Sequence, residues 1–83
     1  MKRVGVVGII AEGDTKSMAQ LNVVLGEFKD CIIGRMGIPR DGAGAIALLV
    51  EMTTQQLGAL TGRLGQIEGV MAKSALTSKQ TEI

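Results

Sequence analysis

The residues best suited to chemistry are two acidic side chains in a short glycine-containing segment and one arginine in an apolar stretch. Glu12 and Asp14 flank Gly13 directly after an apolar run, and Arg35 interrupts the apolar residues 31–38. An arginine in an apolar strand must reach the rim of the sheet or find an anionic partner. That partner is either an acidic residue of another subunit or the carboxylate or phosphate of a ligand.

Together, these charges suit a small zwitterion. The start of a helix predicted after Asp14 favours anions, whereas Glu12 and Asp14 attract cations. The carboxylate of the ligand would meet the helix amides or an arginine from a neighbouring chain, and its ammonium group would meet Glu12. A hard divalent cation on the two carboxylates is the alternative. We therefore predict a ligand-binding site formed by Glu12, Gly13, Asp14 and Arg35.

The composition excludes several classes of function. The chain has no His, so it lacks the usual general base near neutral pH and the commonest zinc or nickel ligand. We expect its single cysteine, Cys31, to be a small buried apolar side chain. We expect a non-enzymatic protein with no catalytic residue, no metal and no cofactor.

The charge and the N-terminal segment also narrow the range of partners. Nine basic and eight acidic residues leave a net charge of +1, too little for a nucleic-acid-binding surface. The apolar run over residues 4–11 is too short to span a membrane and predicts a strand. These features predict a cytoplasmic protein with no nucleic-acid or membrane partner.

Apolar spacing predicts six elements in the order βαββαβ. Residues 4–11, 31–38, 45–52 and 70–76 are expected as strands, and residues 15–28 and 54–64 as helices. This order is typical of an α+β, ferredoxin-like sandwich in which a four-stranded antiparallel sheet carries two helices on one face. Residues 1–76 are predicted to form one domain, and residues 77–83 a polar C-terminal tail.

The ends of the two helices are also marked in the sequence. Asp14 or Thr15 is expected to cap the first helix. Thr53 and Gln56 have the spacing of a capping box at the start of the second helix, and Gly65 is predicted as its left-handed C-cap.

The first and third predicted strands are apolar on both faces. In the first, Val7 and Ile9 alternate with Val6 and Ile10. Helices on one face leave the other face to be covered, and a chain of this length buries too little surface by itself. We therefore expect a dimer or larger homo-oligomer, whose interface is predicted to include Gly5, Val7, Ala45 and Ala47.

Residues 32–39, with the sequence IIGRMGIP, resemble a family of small bacterial proteins named putative iron-only hydrogenase system regulators. The resemblance continues through residues 60–65 and 67–70 and covers residues 3–76. It implies an ACT-like form of the ferredoxin fold, similar to the ligand-binding half of nickel-responsive transcription regulators, and a regulatory role. Nickel sensing does not carry over, because the chain has no His.

Of three classes of function, an enzyme that uses Arg35, Glu12 or Asp14 is disfavoured by the absence of His and of a convincing nucleophile. The other two remain open. The first is a small regulatory or sensing module that binds an amino-acid-like metabolite at the boundary between identical subunits, as the resemblance implies. The second is a structural or protein-interaction module without a ligand.

Overall fold

The computed structural model describes residues 1–12, 15–40 and 43–80. Its regular elements follow the predicted order: β1 (Arg3–Glu12), α1 (Thr15–Glu27), β2 (Ile32–Arg40), β3 (Ala43–Met52), α2 (Thr54–Gly65) and β4 (Val70–Gln80). A short 3-10 turn, Lys29–Cys31, joins α1 to β2.

The four strands form one sheet in the order β2, β3, β1, β4, and all neighbours are antiparallel. Every second side chain of the two central strands points toward the helices. Val7 and Ile9 of β1 and Leu48 of β3 are buried there against Leu21 of α1 and Leu60 of α2. Both helices therefore pack on one face, and the predicted ferredoxin-like fold is confirmed.

The apolar stripe predicted for the first helix packs as expected. Leu21 and Leu25 are buried, and Met18 and Phe28 lie half-buried against the same core. Asp14, a predicted cap, lies outside the described residues, and Thr15 is the first residue of α1.

The predicted capping box is present at the start of α2. The Gln56 backbone N–H donates to Thr53 Oγ1 at 3.0 Å, and the Thr53 N–H donates to Gln56 Oε1 at 2.8 Å. The two bonds satisfy N–H groups that a helix start otherwise leaves without partners. The prediction of Gly65 as a left-handed cap is wrong, because Gly65 is the last helical residue. Among the described glycines the positive φ, 81°, occurs at Gly69 before β4.

We expect Thr53→Ala to lower the free energy of unfolding by about 0.5–2 kcal/mol, because the Gln56 N–H loses its acceptor. Urea denaturation followed by circular dichroism measures this loss. Thr54→Ala is the matched control, since Thr54 is exposed and lies one residue inside the helix. Equal midpoints for the two variants would contradict a stabilising role for the cap.

Strand β4 is longer than its apolar pattern indicates. It continues through residues 77–80, which the sequence assigned to a polar tail. Hydrogen bonds, rather than apolar burial, hold this part of β4 against β1. Arg3 Nε donates to the Thr77 carbonyl, and Thr77 Oγ1 donates to the Val4 carbonyl, both at 2.6 Å. A register shift between Arg3 and Gly5 accommodates the extra residues of β4.

Gly5 lies at a close approach of β4 to β1. A Cβ atom added at Gly5 would stand 2.7 Å from the Ala75 carbonyl oxygen and 2.7 Å from Leu76 Cδ1. Real Cβ atoms do not make contacts this short with backbone, so glycine at this position permits the close approach of β4.

Candidate functional site

The sheet face opposite the helices carries a broad apolar surface, which we call the open face. Its large side chains are well exposed, including Met36 at 62%, Met71 at 58% and Val6 at 53%. Large exposed apolar patches of this kind mark interaction surfaces. The sequence predicted that this face would be apolar, and the exposed residues confirm it.

The strand register arranges the open face in three rows that run across the sheet. From β2 through β3 and β1 to β4, they are Gly34, Leu49, Val6 and Ala75 in the first row, Met36, Ala47, Gly8 and Lys73 in the second, and Ile38, Ala45, Ile10 and Met71 in the third. Small residues occupy the centre of the second row, and longer side chains surround them. The result is a shallow apolar hollow with Lys73 on its rim.

The four predicted interface residues fall on two different faces. Ala45 and Ala47 belong to the open face, whereas Val7 is 1% exposed and lies in the core beneath the helices. Gly5 is also buried on that side, beside β4. Successive residues of a strand point to opposite faces, so β1 presents Val6 rather than Val7 on the open face.

Three residues of the predicted ligand site lie at or beyond the end of β1. Glu12 is exposed, and its backbone N–H donates to the Gly69 carbonyl at 2.6 Å. This bond joins the end of β1 to the turn that precedes β4. Gly13 and Asp14 lie outside the described residues.

Arg35 lies on β2 with its side chain toward the helices. Its Nη2 donates to Asn22 Oδ1 of α1 at 3.3 Å, a neutral partner that the sequence analysis did not identify. Both side chains are exposed. The guanidinium group therefore borders a mainly apolar groove between α1 and the edge of the sheet, whose lining includes Met18 and Pro39.

Arg35 and Glu12 are not brought together within one chain. Arg35 pairs with Leu48, which pairs with Val7, five residues before Glu12 on β1. At about 3.3 Å per residue, the two positions stand about 16 Å apart along the strands, with a further strand between them. A site containing both side chains requires two subunits, and the prediction that a neighbouring chain supplies the arginine stays a prediction.

A polar hollow beside Glu12 contains residues that the sequence analysis missed. It lies between the start of α1 and the turn before β4, and its lining includes Glu12, Lys16, Gln20, Gln66 and Glu68. Residues of both charge signs thus line one concave surface. The helical spacing of Lys16 and Gln20 is visible in the sequence, but their nearness to Glu68 depends on the tertiary fold.

The Ser17 hydroxyl fixes one wall of this polar hollow. Ser17 is buried near the start of α1, and its Oγ donates to the Glu68 carbonyl at 3.0 Å. The bond ties α1 to the turn before β4, so the two walls of the hollow are held at a set separation.

Within the described residues, no group of three or more Cys, Asp or Glu side chains is close enough to hold a metal ion. No helix in the described parts of the chain is long and apolar enough to cross a membrane.

The sheet order and the two helices on one face define an ACT-like ferredoxin fold. The ACT domain of GTP pyrophosphokinase from Chlorobium tepidum has this fold, with a TM-score of 0.79 and 19% sequence identity over 90% of this chain and 100% of that one. The chain belongs to the TM1266-like family, described as "Iron-only hydrogenase system regulator, putative", whose model matches residues 3–74. The family resemblance stated from the sequence is thereby confirmed.

A solved structure of this family supports the assignment. The uncharacterized protein TM1266 from Thermotoga maritima matches with a TM-score of 0.91 and 32% identity, covering 94% of this chain and 100% of that one. Among curated proteins, none matches the sequence.

Proposed function

We propose that this chain is a small non-enzymatic regulatory module that assembles with itself and binds an amino-acid-like metabolite near a subunit boundary. Its membership of a family described as regulators and its ACT-like fold support the regulatory role. The observation that carries the ligand proposal is the polar hollow beside Glu12, because it combines charges of both signs.

The polar hollow matches the two charged ends of an amino acid. The Lys16 ammonium group is the cation available to a ligand carboxylate, and Glu12 and Glu68 are the anions available to a ligand ammonium group. Gln20 and Gln66 provide neutral donors and acceptors beside them. Paired charges of this kind select a zwitterion over a simple anion or cation, because either would leave one set of charges without a partner.

Arg35 supports a location near a subunit boundary. Its partner within the chain is the neutral Asn22, so its positive charge remains available to an anion. The distance between Arg35 and Glu12 within one chain means that a second subunit must supply the arginine if both contact one ligand.

Thermal unfolding in the presence of each common amino acid tests this proposal. A ligand at about 100 times its Kd stabilises the folded state by about 2.7 kcal/mol, which raises the Tm measurably. We expect one amino acid or a close group of them to raise the Tm. Both Lys16→Ala and Glu12→Gln should reduce that rise.

Lys29→Ala is the matched control for Lys16→Ala, because both lysines are exposed and Lys29 lies in the turn after α1, outside the lining of the polar hollow. It should leave the ligand-induced rise unchanged. If no amino acid raises the Tm while a divalent cation does, the zwitterion assignment is wrong. If neither does, the ligand-free interaction module is favoured.

A further inference from the structure

We propose that the open face is covered by the open face of a second copy of this chain, around a two-fold axis parallel to the strands. In this arrangement β4 of one chain lies over β2 of the other, and β1 lies over β3. The inference rests on the self-assembly in the proposed function and adds the surface and the orientation. Arg35 lies on the helix side of β2 and faces away from this interface, so its contact with a ligand of another chain would need a second interface.

The area of the open face is sufficient for a stable dimer. Four strands about 4.8 Å apart make a sheet about 19 Å wide, and a ten-residue strand such as β1 is about 33 Å long. The whole sheet face therefore covers about 600 Å² per chain, or about 1,200 Å² for two chains, and the three apolar rows form its central part. This area reaches the lower end of the range found for specific, stable interfaces.

Two two-fold orientations bring such faces together with their strands aligned, one of the two arrangements that stacked sheets adopt. The two-fold axis lies in the plane between the sheets and runs either across the strands or along them. An axis that runs across the strands, through the second row, places each second-row residue opposite the same residue of the other chain. Lys73 then faces Lys73. An axis that runs along the strands places Lys73 of one chain opposite Met36 of the other.

Side-chain size fits both orientations, so the charge on Lys73 decides between them. With the axis along the strands, Ile10 faces the small Ala45, Gly8 faces Ala47, and the two lysines lie on opposite edges of the dimer. With the axis across the strands, two like charges are forced together at one edge, which is unfavourable.

A charge-exchange experiment tests the orientation. In the proposed dimer Ile38 faces Met71, so Ile38→Glu and Met71→Lys should each weaken dimerisation by at least about tenfold in Kd, since each puts a charge against an apolar side chain. The double variant places Glu opposite Lys twice and should recover most of that loss. Size exclusion with light scattering gives the mass, and circular dichroism confirms that each variant folds.

Met36→Glu provides a second test that does not depend on the first pair. With the axis along the strands, the new carboxylate faces Lys73 and the dimer is retained. With the axis across the strands, it faces its own copy and the dimer is lost. Loss of the dimer in Met36→Glu, or a double variant as monomeric as the single ones, would overturn the proposed orientation.

The wild-type mass separates this inference from the proposed function. A monomeric wild-type chain at micromolar concentration overturns both the orientation and the proposed self-assembly. A wild-type dimer that none of the open-face variants affects overturns this inference alone, because assembly then uses another surface.

Discussion

Replacement of Gly5 by alanine is expected to lower the free energy of unfolding by about 1–3 kcal/mol. The new methyl group would lie 2.7 Å from the Ala75 carbonyl oxygen and 2.7 Å from Leu76 Cδ1. Leu76 can change its side-chain conformation, but the carbonyl belongs to the backbone of β4 and can move only if β4 shifts. Urea denaturation measures the loss, which is large against a total stability of about 5–15 kcal/mol.

Gly37→Ala is the control for this substitution. Gly37 is also in a strand and on the helix side of the sheet, but an added Cβ atom there would lie 4.0 Å from its nearest neighbours. The urea midpoint of Gly37→Ala should equal or exceed that of the unsubstituted chain, because alanine restricts the unfolded chain more than glycine does. Equal losses in the two variants would show that the approach of β4 does not determine the effect.

Replacement of Ala47 by glutamate is expected to convert the assembly into single chains of 8.7 kDa that remain folded. Ala47 is exposed at the centre of the open face, so within one chain the carboxylate stays in water. Between two packed faces it would be a buried charge without a partner, at a cost of several kcal/mol. Light scattering gives the mass, and circular dichroism shows whether the helices are retained.

Ala59→Glu is the matched control, because Ala59 is exposed on α2, on the opposite side of the sheet from Ala47. It should leave the mass unchanged. An unchanged mass in Ala47→Glu as well would exclude the open face as the interface, whereas unfolding of Ala47→Glu would show that Ala47 is needed in the single chain. This substitution disrupts either orientation of the two faces, so its result does not depend on the proposed axis.

Much of the fold follows from local patterns in the sequence. Turn residues and apolar runs placed the strands, and the spacing of Thr53 and Gln56 placed the start of α2. Residues 77–80 were assigned incorrectly, because hydrogen bonds from Arg3 and Thr77, rather than apolar burial, hold β4 there. Contacts between the two ends of the chain leave no local signal.

The candidate site was less predictable, for two physical reasons. Both faces of β1 are apolar, so the alternation of side chains could not show whether Val6 or Val7 points toward the helices. The polar hollow combines Glu12 and Lys16 with Glu68, which the fold brings in from more than fifty positions away. The bond from Arg35 to Asn22 likewise depends on how α1 crosses the sheet.

The two apolar faces of β1 have a consequence for how the sheet forms. A strand that slips by one residue exchanges its faces, and the two faces of β1 have similar apolar content, with Val4, Val6 and Ile10 on one and Val7, Ile9 and Ala11 on the other. Apolar burial therefore discriminates weakly against the slipped pairing. Two contacts with β4 do favour the native register: the close approach of β4 at Gly5 and the hydrogen bond from Arg3 to Thr77. Pairing with β4, the last strand in the chain, thus contributes to fixing the register of the central strand.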